Sequence, residues 1–370
     1  MRRRLFKQIL NPWALCLSLI VWIALGSFLV AGDLPSGLPD DLSDMTAYNP
    51  CLGNLCGISP PRCPWYFEAD AIFLKRDRVD RVPFATLTIP ANVVFSTSDI
   101  DSPFRTGTRA LLGHTFGDTR WQIDATYLWL DNWDDSAAIR DNTPNVLGGQ
   151  GNLFSPFSNF GRPAIPGYDY SNFVSVREFS QLRNCELNLR YTLPMLHECL
   201  TPKLILGLRY TSVNEQFDYF SESQTTVSTT TLSTRTTNDL FGPQIGGEFY
   251  FYANPQCWID LSIKGALCNN RALQDTTGTL TDRAVDTPVS SRQRRDATAY
   301  VGDLDLDLVW QITPRLMTRI GYQAIWINNI AMADRNFAPP GAILENGPPQ
   351  IDTLGRAVYH GPHIGLECTW

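Results

Sequence analysis

Regular alternation of apolar and polar residues is the feature that most constrains what this chain can form. The clearest examples are residues 121–130 and 302–312. In the second segment the apolar set Leu304, Leu306, Leu308 and Trp310 alternates with Asp303, Asp305 and Asp307. A period of two is typical of β-strands, because successive side chains point to opposite faces of a sheet. The pattern therefore predicts strands with one apolar face and one hydrated face.

Ten segments of this kind follow one another between residues 65 and 370. The links between them are short at 117–118, 192–202, 253–256 and 313–314, and long at 78–106, 131–174, 214–238, 272–298 and 328–356. Tight turns at one end and long loops at the other are typical of transmembrane barrels, and an even strand number puts both chain ends on the periplasmic side. We predict an all-β, antiparallel, up-and-down transmembrane β-barrel of about ten strands. Twelve strands are the alternative, because the first two long links have room for another hairpin.

The positions of tryptophan and tyrosine indicate which face meets lipid. A soluble barrel would bury the leucines that a membrane barrel exposes, so alternation alone does not decide. Aromatic side chains concentrate where hydrocarbon meets water. Nine of them fall on the apolar face: Trp65, Trp121, Tyr191, Trp310 and Trp370 at predicted periplasmic strand ends, and Trp129, Tyr210, Tyr300 and Trp326 at predicted outer ends. These two belts predict that the apolar face touches the lipid bilayer.

The N-terminus has the character of an export signal. Basic residues open the chain, an apolar run follows over residues 13–30, and small residues come next. This pattern is typical of a secretory signal peptide, with a retained anchor as the alternative because the apolar run is long. We predict a signal peptide over residues 1–31, a periplasmic leader over 32–64 and a barrel over 65–370, located in the outer membrane.

Cysteine content and net charge limit which partners and bound groups the protein is expected to have. Cys51, Cys56 and Cys63 cluster in the leader, where an oxidising compartment favours a disulfide, and the sequence leaves their pairing open. Removal of residues 1–31 takes away four basic residues and changes the formal net charge from −7 to −11. Nucleic acid is a poor partner for such a surface. Phosphate-binding glycine loops and metal-ligand spacings are absent from the sequence, so we predict no cofactor and no metal site.

Three short stretches carry a family resemblance. They are the opening strand WYFEADAIFL at 65–74, the segment NDLFGPQIGGE at 238–248, and the ending at 359–367 with Tyr359-His360-Gly361 and Gly365-Leu366-Glu367. Together they resemble the seventh putative beta-barrel porin family over about residues 65–370. The resemblance implies a barrel and an outer-membrane location more than transport, and it supplies no catalytic residues.

The end of the chain indicates how the protein is assembled. Trp370 ends an alternating strand, and a terminal aromatic in that position resembles the signal by which barrel-assembly machinery recognises its clients. The expected partners are therefore the outer-membrane lipid bilayer and this machinery, with small solutes as candidate ligands.

The polar face carries charges of both signs. If it lines the interior, the candidate lumen charges are Glu68, Asp70, Asp124, Glu186, Arg190, Arg209, Glu248, Asp260, Lys264, Asp303, Asp305, Asp307, Arg319 and Glu367. The acidic row of Asp303, Asp305 and Asp307 is the densest cluster, and such a row can draw cations into a narrow pore. Alternatively, Lys264 and Arg319 on the flanking strands pair with the row and plug the interior. We favour the plug, because crowded like charges need partners.

A ten-stranded ring is only slightly wider than the eight-stranded size that side chains fill. We therefore expect a narrow porin-like channel or a closed structural barrel of the envelope. The alternative is a barrel for surface adhesion, or one with catalytic groups of protease or lipase type at its rim. Thr- and Ser-rich residues 225–237 and the basic group Arg292, Arg294 and Arg295 fall in predicted outer loops, and their composition is typical of flexible, solvated segments.

The four histidines do not form a recognisable catalytic group. His114 and His363 fall within predicted strands, and His197 falls in a periplasmic turn. His360 lies near the outer end of the last strand, close in sequence to Asp352, but no nucleophile motif surrounds the two. We expect the protein not to be an enzyme.

Overall fold

The computed structural model describes residues 64–78, 80–87, 92–117, 119–165, 168–194, 200–254, 256–283, 285–337 and 351–370. The predicted signal peptide, the three leader cysteines and His197 lie outside these residues. Within them, no helix has both the length and the apolar character needed to cross a membrane.

The described chain forms fourteen strands and one short helix. The strands are β1 (Trp65–Arg78), β2 (Pro83–Leu87), β3 (Asn92–Ser96), β4 (Arg105–Thr115), β5 (Trp121–Leu130), β6 (Trp133–Arg140), β7 (Leu153–Phe154), β8 (Phe173–Thr192), β9 (Leu200–Ser223), β10 (Ser228–Asn254), β11 (Cys257–Asp282), β12 (Val285–Thr313), β13 (Leu316–Ile330) and β14 (Gly355–Thr369). The helix α1 (Ala333–Asn336) follows β13, and single 3-10 turns occupy Thr97–Asp99 and Pro156–Ser158.

Ten of the described strands close into a ring. The order of hydrogen-bonded neighbours is β1, β4, β5, β8, β9, β10, β11, β12, β13 and β14, and β14 pairs with β1. All these pairs are antiparallel. Trp65 and Trp370 exchange backbone hydrogen bonds of 3.1 and 3.0 Å where the start of β1 meets the end of β14. The prediction of a ten-stranded antiparallel barrel is confirmed.

The remaining four strands lie in the first two long links. β6 pairs with β8 just beyond the end of β5, so it prolongs the barrel wall outward. β2, β3 and β7 form a separate three-stranded sheet. The alternative of twelve barrel strands is therefore wrong: the links do contain extra strands, but these strands do not enter the ring.

The two faces of the wall differ as the alternation predicts. Leu206 on β9 and Leu306 on β12 are 45% and 46% exposed, whereas Asp303 and Asp307 are 0% and 2% exposed. The apolar side chains thus face outward and the acidic row faces the interior. A continuous apolar outer band is unfavourable in water and favourable in lipid.

The nine aromatic residues of the predicted belts all lie on the outward face. Trp65, Trp121 and Trp129 lie at or next to strand ends. Tyr210 and Tyr300 instead lie in the middle of β9 and β12, because both strands continue outward beyond them. From Tyr210 to the end of β9 this adds about 40 Å of strand, at ~3.3 Å per residue.

Two predicted outer loops are wrong. Residues 214–238 and 272–298 are mainly the ends of β9, β10, β11 and β12. A tight connection at 224–227 joins β9 to β10, and β11 pairs with β12 as far as Asp282 and Val285. The Thr- and Ser-rich segment and the basic group of Arg292, Arg294 and Arg295 therefore lie on strands. Threonine is polar, which is typical of loops, but it is also β-branched and therefore favours strands. The barrel wall consequently extends well past the membrane.

The other outer connections fold back into the barrel mouth. They bury a cluster that includes Phe84, Phe95, Phe157 and Phe337 against the inward side chains Phe217 and Tyr219 of β9. Ring centroids of Phe217 and Phe337 are 4.7 Å apart. We call this cluster the outer cap.

Substitution of the outward residue Leu206 by arginine tests which face meets lipid. A charged side chain near the bilayer midplane of a barrel costs about 2–4 kcal/mol. Leu206→Arg should destabilise the barrel in lipid vesicles, with a free energy of unfolding lower than that of wild type by about that amount. The matched control is Thr231→Arg, which changes an exposed residue of β10 beyond the membrane and should have little effect. Equal effects of the two substitutions would contradict the proposed lipid boundary.

Candidate functional site

The barrel interior is the candidate site, because it gathers the charged side chains of all ten ring strands. In the described residues its membrane-level part holds ten carboxyl groups and six Lys or Arg side chains. The carboxyl groups belong to Glu68, Asp70, Asp124, Glu186, Glu248, Asp260, Asp303, Asp305, Asp307 and Glu367, and the cations to Arg109, Arg190, Lys203, Arg209, Lys264 and Arg319. All fourteen candidate lumen charges point inward.

Arg209 is the centre of one ion-pair group. Its Nη2 contacts Glu186 Oε1 at 2.6 Å and Asp303 Oδ2 at 3.0 Å, and its Nε donates to Gln244 Oε1 at 2.8 Å. Lys264 Nζ adds contacts of 2.9 Å to Glu186 and 3.7 Å to Asp303. Two carboxylates are thus balanced by two cations, as buried charges require.

The rest of the acidic row is paired in the same way. Arg109 Nε donates to Asp70 Oδ2 at 2.7 Å and its Nη1 contacts Asp305. Arg319 Nη2 donates to Asp307 Oδ2 at 2.6 Å. Each member of the row therefore contacts an arginine or lysine on another strand, and Lys264 and Arg319 take the positions that the plug hypothesis assigns to them.

A third group lies toward the periplasmic end. Arg190 contacts Asp124 and Glu248, Asn188 donates to Asp124 at 3.0 Å, and Lys203 Nζ lies 3.6 Å from Glu248. Below it, a small aromatic layer covers the inward faces of four neighbouring strands, β10 to β13. Its members are Tyr250, Tyr252, Trp258, Val309 and Met317.

Two interior carboxyl groups differ from the others. Glu68 contacts Arg319, but among the described residues Asp260 and Glu367 have no ion pair. Asp260 Oδ1 is also buried without a hydrogen-bond partner there. The interior at this level therefore holds more carboxyl groups than cations.

Above the charged groups, the inward face becomes apolar. This belt consists of Ile72, Leu74, Leu128, Leu130, Trp133, Leu182, Val213, Leu240, Ala266, Cys268, Ala299, Val301, Ile325, Ile327, Ile330, Met332, Ala357 and Tyr359. The sequence contains a signal for the apolar belt. In runs such as Leu128-Trp129-Leu130 and Ile325-Trp326-Ile327 the alternation stops, and both faces of the strand are apolar. We call this layer the apolar belt.

A buried ion triad lies next to the belt. Arg76 contacts both Glu178 and Glu215, and all three side chains are at most 3% exposed. Glu215 Oε2 also accepts a hydrogen bond of 3.0 Å from the backbone N–H of Ala333, the first residue of α1. The triad thereby holds α1 against the wall.

Further hydrogen bonds fix the segment around α1 inside the barrel. The side chain of Asn238 exchanges hydrogen bonds of 2.7 and 2.8 Å with the backbone of Ala331. Gln274 Nε2 donates to the carbonyl of Asn336 at 3.0 Å. Residues 331–337 therefore cross the lumen between the apolar belt and the outer cap.

A polar clamp joins the outer connections at the rim. Asp80 accepts from Arg335 at 2.9 Å and from Arg356 at 2.7 Å, and Arg335 also contacts Asp352 at 2.8 Å. Partial burial would raise the pKa of Asp80, but the hydrogen bonds and charges of Arg356 and Arg335 outweigh it and lower that pKa below its ordinary value.

The histidines lie apart from one another. His360 faces outward; its Nε2 lies 2.8 Å from Asp77 Oδ2, and its Nδ1 contacts the Tyr322 hydroxyl. It does not contact Asp352, its neighbour in sequence. His363 faces the interior and contacts Asp305 at 2.8 Å, whereas His114 stacks on Trp65 with ring centroids 4.4 Å apart.

Several interior charges were missed from the sequence. Arg109 lies on β4, where apolar residues occupy both faces and give no clear alternation. Glu215 fell inside a predicted loop, and Arg76 and Glu178 were not among the candidates although they lie on predicted strands. Their pairing depends on contacts across the lumen, for which a single sequence carries no signal.

These features together define an outer-membrane β-barrel protein: a closed antiparallel ring, an apolar outer band with aromatic side chains, and a charged interior. The chain belongs to the family described as putative beta barrel porin-7, whose family model matches residues 86–370. The resemblance seen in the sequence motifs is confirmed. Comparison with curated proteins found no match.

Solved outer-membrane structures resemble the chain at low identity. The outer membrane protease OmpT from Escherichia coli is 9% identical with a TM-score of 0.47, covering 83% of this chain and 97% of its own. A major outer membrane protein from Thermus thermophilus is 9% identical (TM-score 0.29; 83% and 99% covered). OprG from Pseudomonas aeruginosa is 12% identical (TM-score 0.28; 84% and 97% covered). The family assignment comes from the family model, and no function is transferred from these structures.

Removal of one central cation tests how far the interior depends on pairing. Arg209→Met leaves Glu186 and Asp303 with Lys264 as their shared cation, and breaking a buried pair typically costs about 3–5 kcal/mol. Urea unfolding in vesicles should show that the free energy of unfolding falls by about this amount. The control is Arg177→Met, which breaks an exposed pair with Asp134 and should cost much less. An equally small fall in the free energy of unfolding for both variants would show that the interior pairs are solvated.

Proposed function

We propose that the protein is a closed, non-conducting barrel of the outer membrane that serves as a structural element of the envelope. The observation that carries this proposal is the stack of layers across the lumen. From the periplasmic side these are the aromatic layer, the paired charges, the apolar belt, residues 331–337 and the outer cap. A solute crossing the barrel would have to pass all of these layers, of which the apolar belt and the outer cap exclude ions most strongly.

The apolar belt is the strongest barrier in this stack. An ion that enters it loses its hydration and finds no charged partner among the belt side chains, which costs several kcal/mol or more. The paired charges below do not relieve this cost, because their carboxylates already contact Arg109, Arg209 and Arg319. Passive diffusion of even small solutes is therefore unfavourable in this state.

The route to the membrane belongs to the same proposal. We infer that residues 1–31 direct export and are removed, and that barrel-assembly machinery recognises the last strand. The apolar outward face of β14 supports this, because Ile364 and Leu366 are exposed and Trp370 continues the same face. Small solutes, if any bind, would contact the rim rather than pass through the barrel.

Planar-bilayer recording tests the closed state. Wild-type protein should insert without steady conductance. A cap variant, Phe84→Ser/Phe337→Ser, and a belt variant, Leu182→Ser/Leu240→Ser, should also stay closed, because each leaves the other barrier. The combination of all four substitutions should produce measurable current.

Heat-modifiable electrophoretic mobility shows that each of these variants is folded. Steady cation-selective conductance of the wild-type protein, reduced by substitution of Asp303, Asp305 and Asp307 with asparagine, would overturn the proposal and establish a narrow channel.

We also propose that the barrel has no hydrolytic activity at its rim. His360 is the histidine nearest the outer rim in the described chain, and both of its ring nitrogens are already engaged, by Asp77 and Tyr322. A histidine base acts on the hydroxyl or thiol that its second nitrogen faces. In the described residues that group is the phenol of Tyr322, and no serine, threonine or cysteine side chain contacts His360.

Esterase and protease assays test the absence of activity. Purified barrel should show no turnover above the detergent blank, and His360→Ala should be indistinguishable from wild type. Turnover that His360→Ala abolishes would support a catalytic rim instead.

A further inference from the structure

One interior histidine lies beside two carboxylates, and each directs one oxygen toward it. His363 Nε2 is 2.8 Å from Asp305 Oδ1 and 3.4 Å from Asp307 Oδ1. One ligand atom from each residue lies within 4.8 Å of the other two. The three residues come from β12 and β14, on either side of β13. No spacing motif in the sequence could reveal this group, because His363 and Asp305 lie 58 residues apart along the chain.

Two buried atoms of the group have no hydrogen-bond partner in the described residues. Asp307 Oδ1 is buried without a hydrogen-bond partner in the described residues, and so is His363 Nδ1. The side chain of His363 is fully buried, and its polar contacts in the described chain are with the two aspartates alone. A buried acceptor left without a partner is costly. A cation bound between the oxygens and the imidazole would remove that cost at Asp307.

The surroundings hold the ligand atoms in place. Arg109 and Arg319 contact the Oδ2 atoms of Asp305 and Asp307, which leaves both Oδ1 atoms facing His363. Hydrogen bonds of this kind orient ligands in metal sites. At Gly321, between the two ligand strands, a side chain would collide with Asp307 Oδ1 and His363 Nε2. The glycine therefore keeps the two groups open to one another.

The charge balance also favours a cation. The membrane-level interior has four more carboxyl groups than Lys and Arg side chains in the described residues, and Asp260 and Glu367 have no ion pair there. One divalent ion near the acidic row would supply positive charge to a region where carboxyl groups outnumber Lys and Arg side chains.

We propose that Asp305, Asp307 and His363 form a buried site for a divalent transition-metal ion of the zinc type. Two carboxylate oxygens and one imidazole nitrogen are ligands that zinc accepts, and three protein ligands leave a fourth tetrahedral position for water. The site goes beyond the proposed function, and it would serve a structural purpose by tying β12 to β14 across β13.

Zinc binding to the purified protein tests the site. Tag-free full-length barrel in detergent, stripped with chelator, is titrated with zinc chloride in a calorimeter. Wild type should bind one zinc ion that His363→Gln and Asp307→Asn each weaken by about tenfold or more. The matched control is His360→Ala on the same strand, which should bind zinc with the affinity of wild type.

Cobalt substitution separates this site from thiolate sites elsewhere in the chain. Bound Co²⁺ should give visible absorption without a thiolate charge-transfer band, and His363→Gln should change that absorption. Heat-modifiable mobility establishes that each variant is folded. Absence of stoichiometric zinc binding to wild type, or equal binding by wild type and folded His363→Gln, would overturn the proposal. A conducting barrel with the zinc site intact would refute only the proposed function.

Discussion

Backbone hydrogen bonding in lipid is the constraint on which the rest of this structure depends. A strand inside a bilayer has no water to pair its free N–H and C=O groups, so a sheet must close on itself. Here ten antiparallel strands meet that requirement, and Trp65 and Trp370 complete the pairing between β1 and β14. The even number of strands allows every neighbouring pair, including β14 with β1, to be antiparallel. Closure leaves one face of each strand outside, and the alternation of the sequence makes that face apolar.

The small bore of a ten-stranded ring explains the state of the interior. Opposite walls are close enough for Arg209 of β9 to reach Asp303 of β12, and for Arg109 of β4 to reach Asp305. Charges that a wide pore would hydrate are therefore paired by side chains. Where the inward face becomes apolar, the same small bore brings the side chains of the apolar belt together into a hydrophobic core, which is unusual for a barrel lumen and typical of a globular protein.

The outer part of the molecule has a hydrophobic core of its own, which the outer ends of the barrel strands enclose. The strands continue past the aromatic residues, and three connections fold inward and bury the outer cap. The ion triad of Arg76, Glu178 and Glu215 anchors α1 to that wall, and the rim clamp joins Asp80 to Arg335 and Arg356. These contacts make the closed state a property of packing across the lumen, in agreement with a structural rather than a conducting barrel.

The sequence by itself determined the antiparallel barrel, the outward apolar face and the inward direction of the charged side chains, because a period of two is a local property that does not depend on what the strand packs against. It also indicated that Lys264 and Arg319 could pair with the acidic row, since neighbouring strands are adjacent in any up-and-down barrel. Only the tertiary structure decided that residues 214–238 are strands, that aromatic side chains of the links fill the mouth, and that His363 lies beside Asp305 and Asp307. Those outcomes depend on contacts between residues far apart in the chain, and alternation along one strand carries no information about what lies across the lumen.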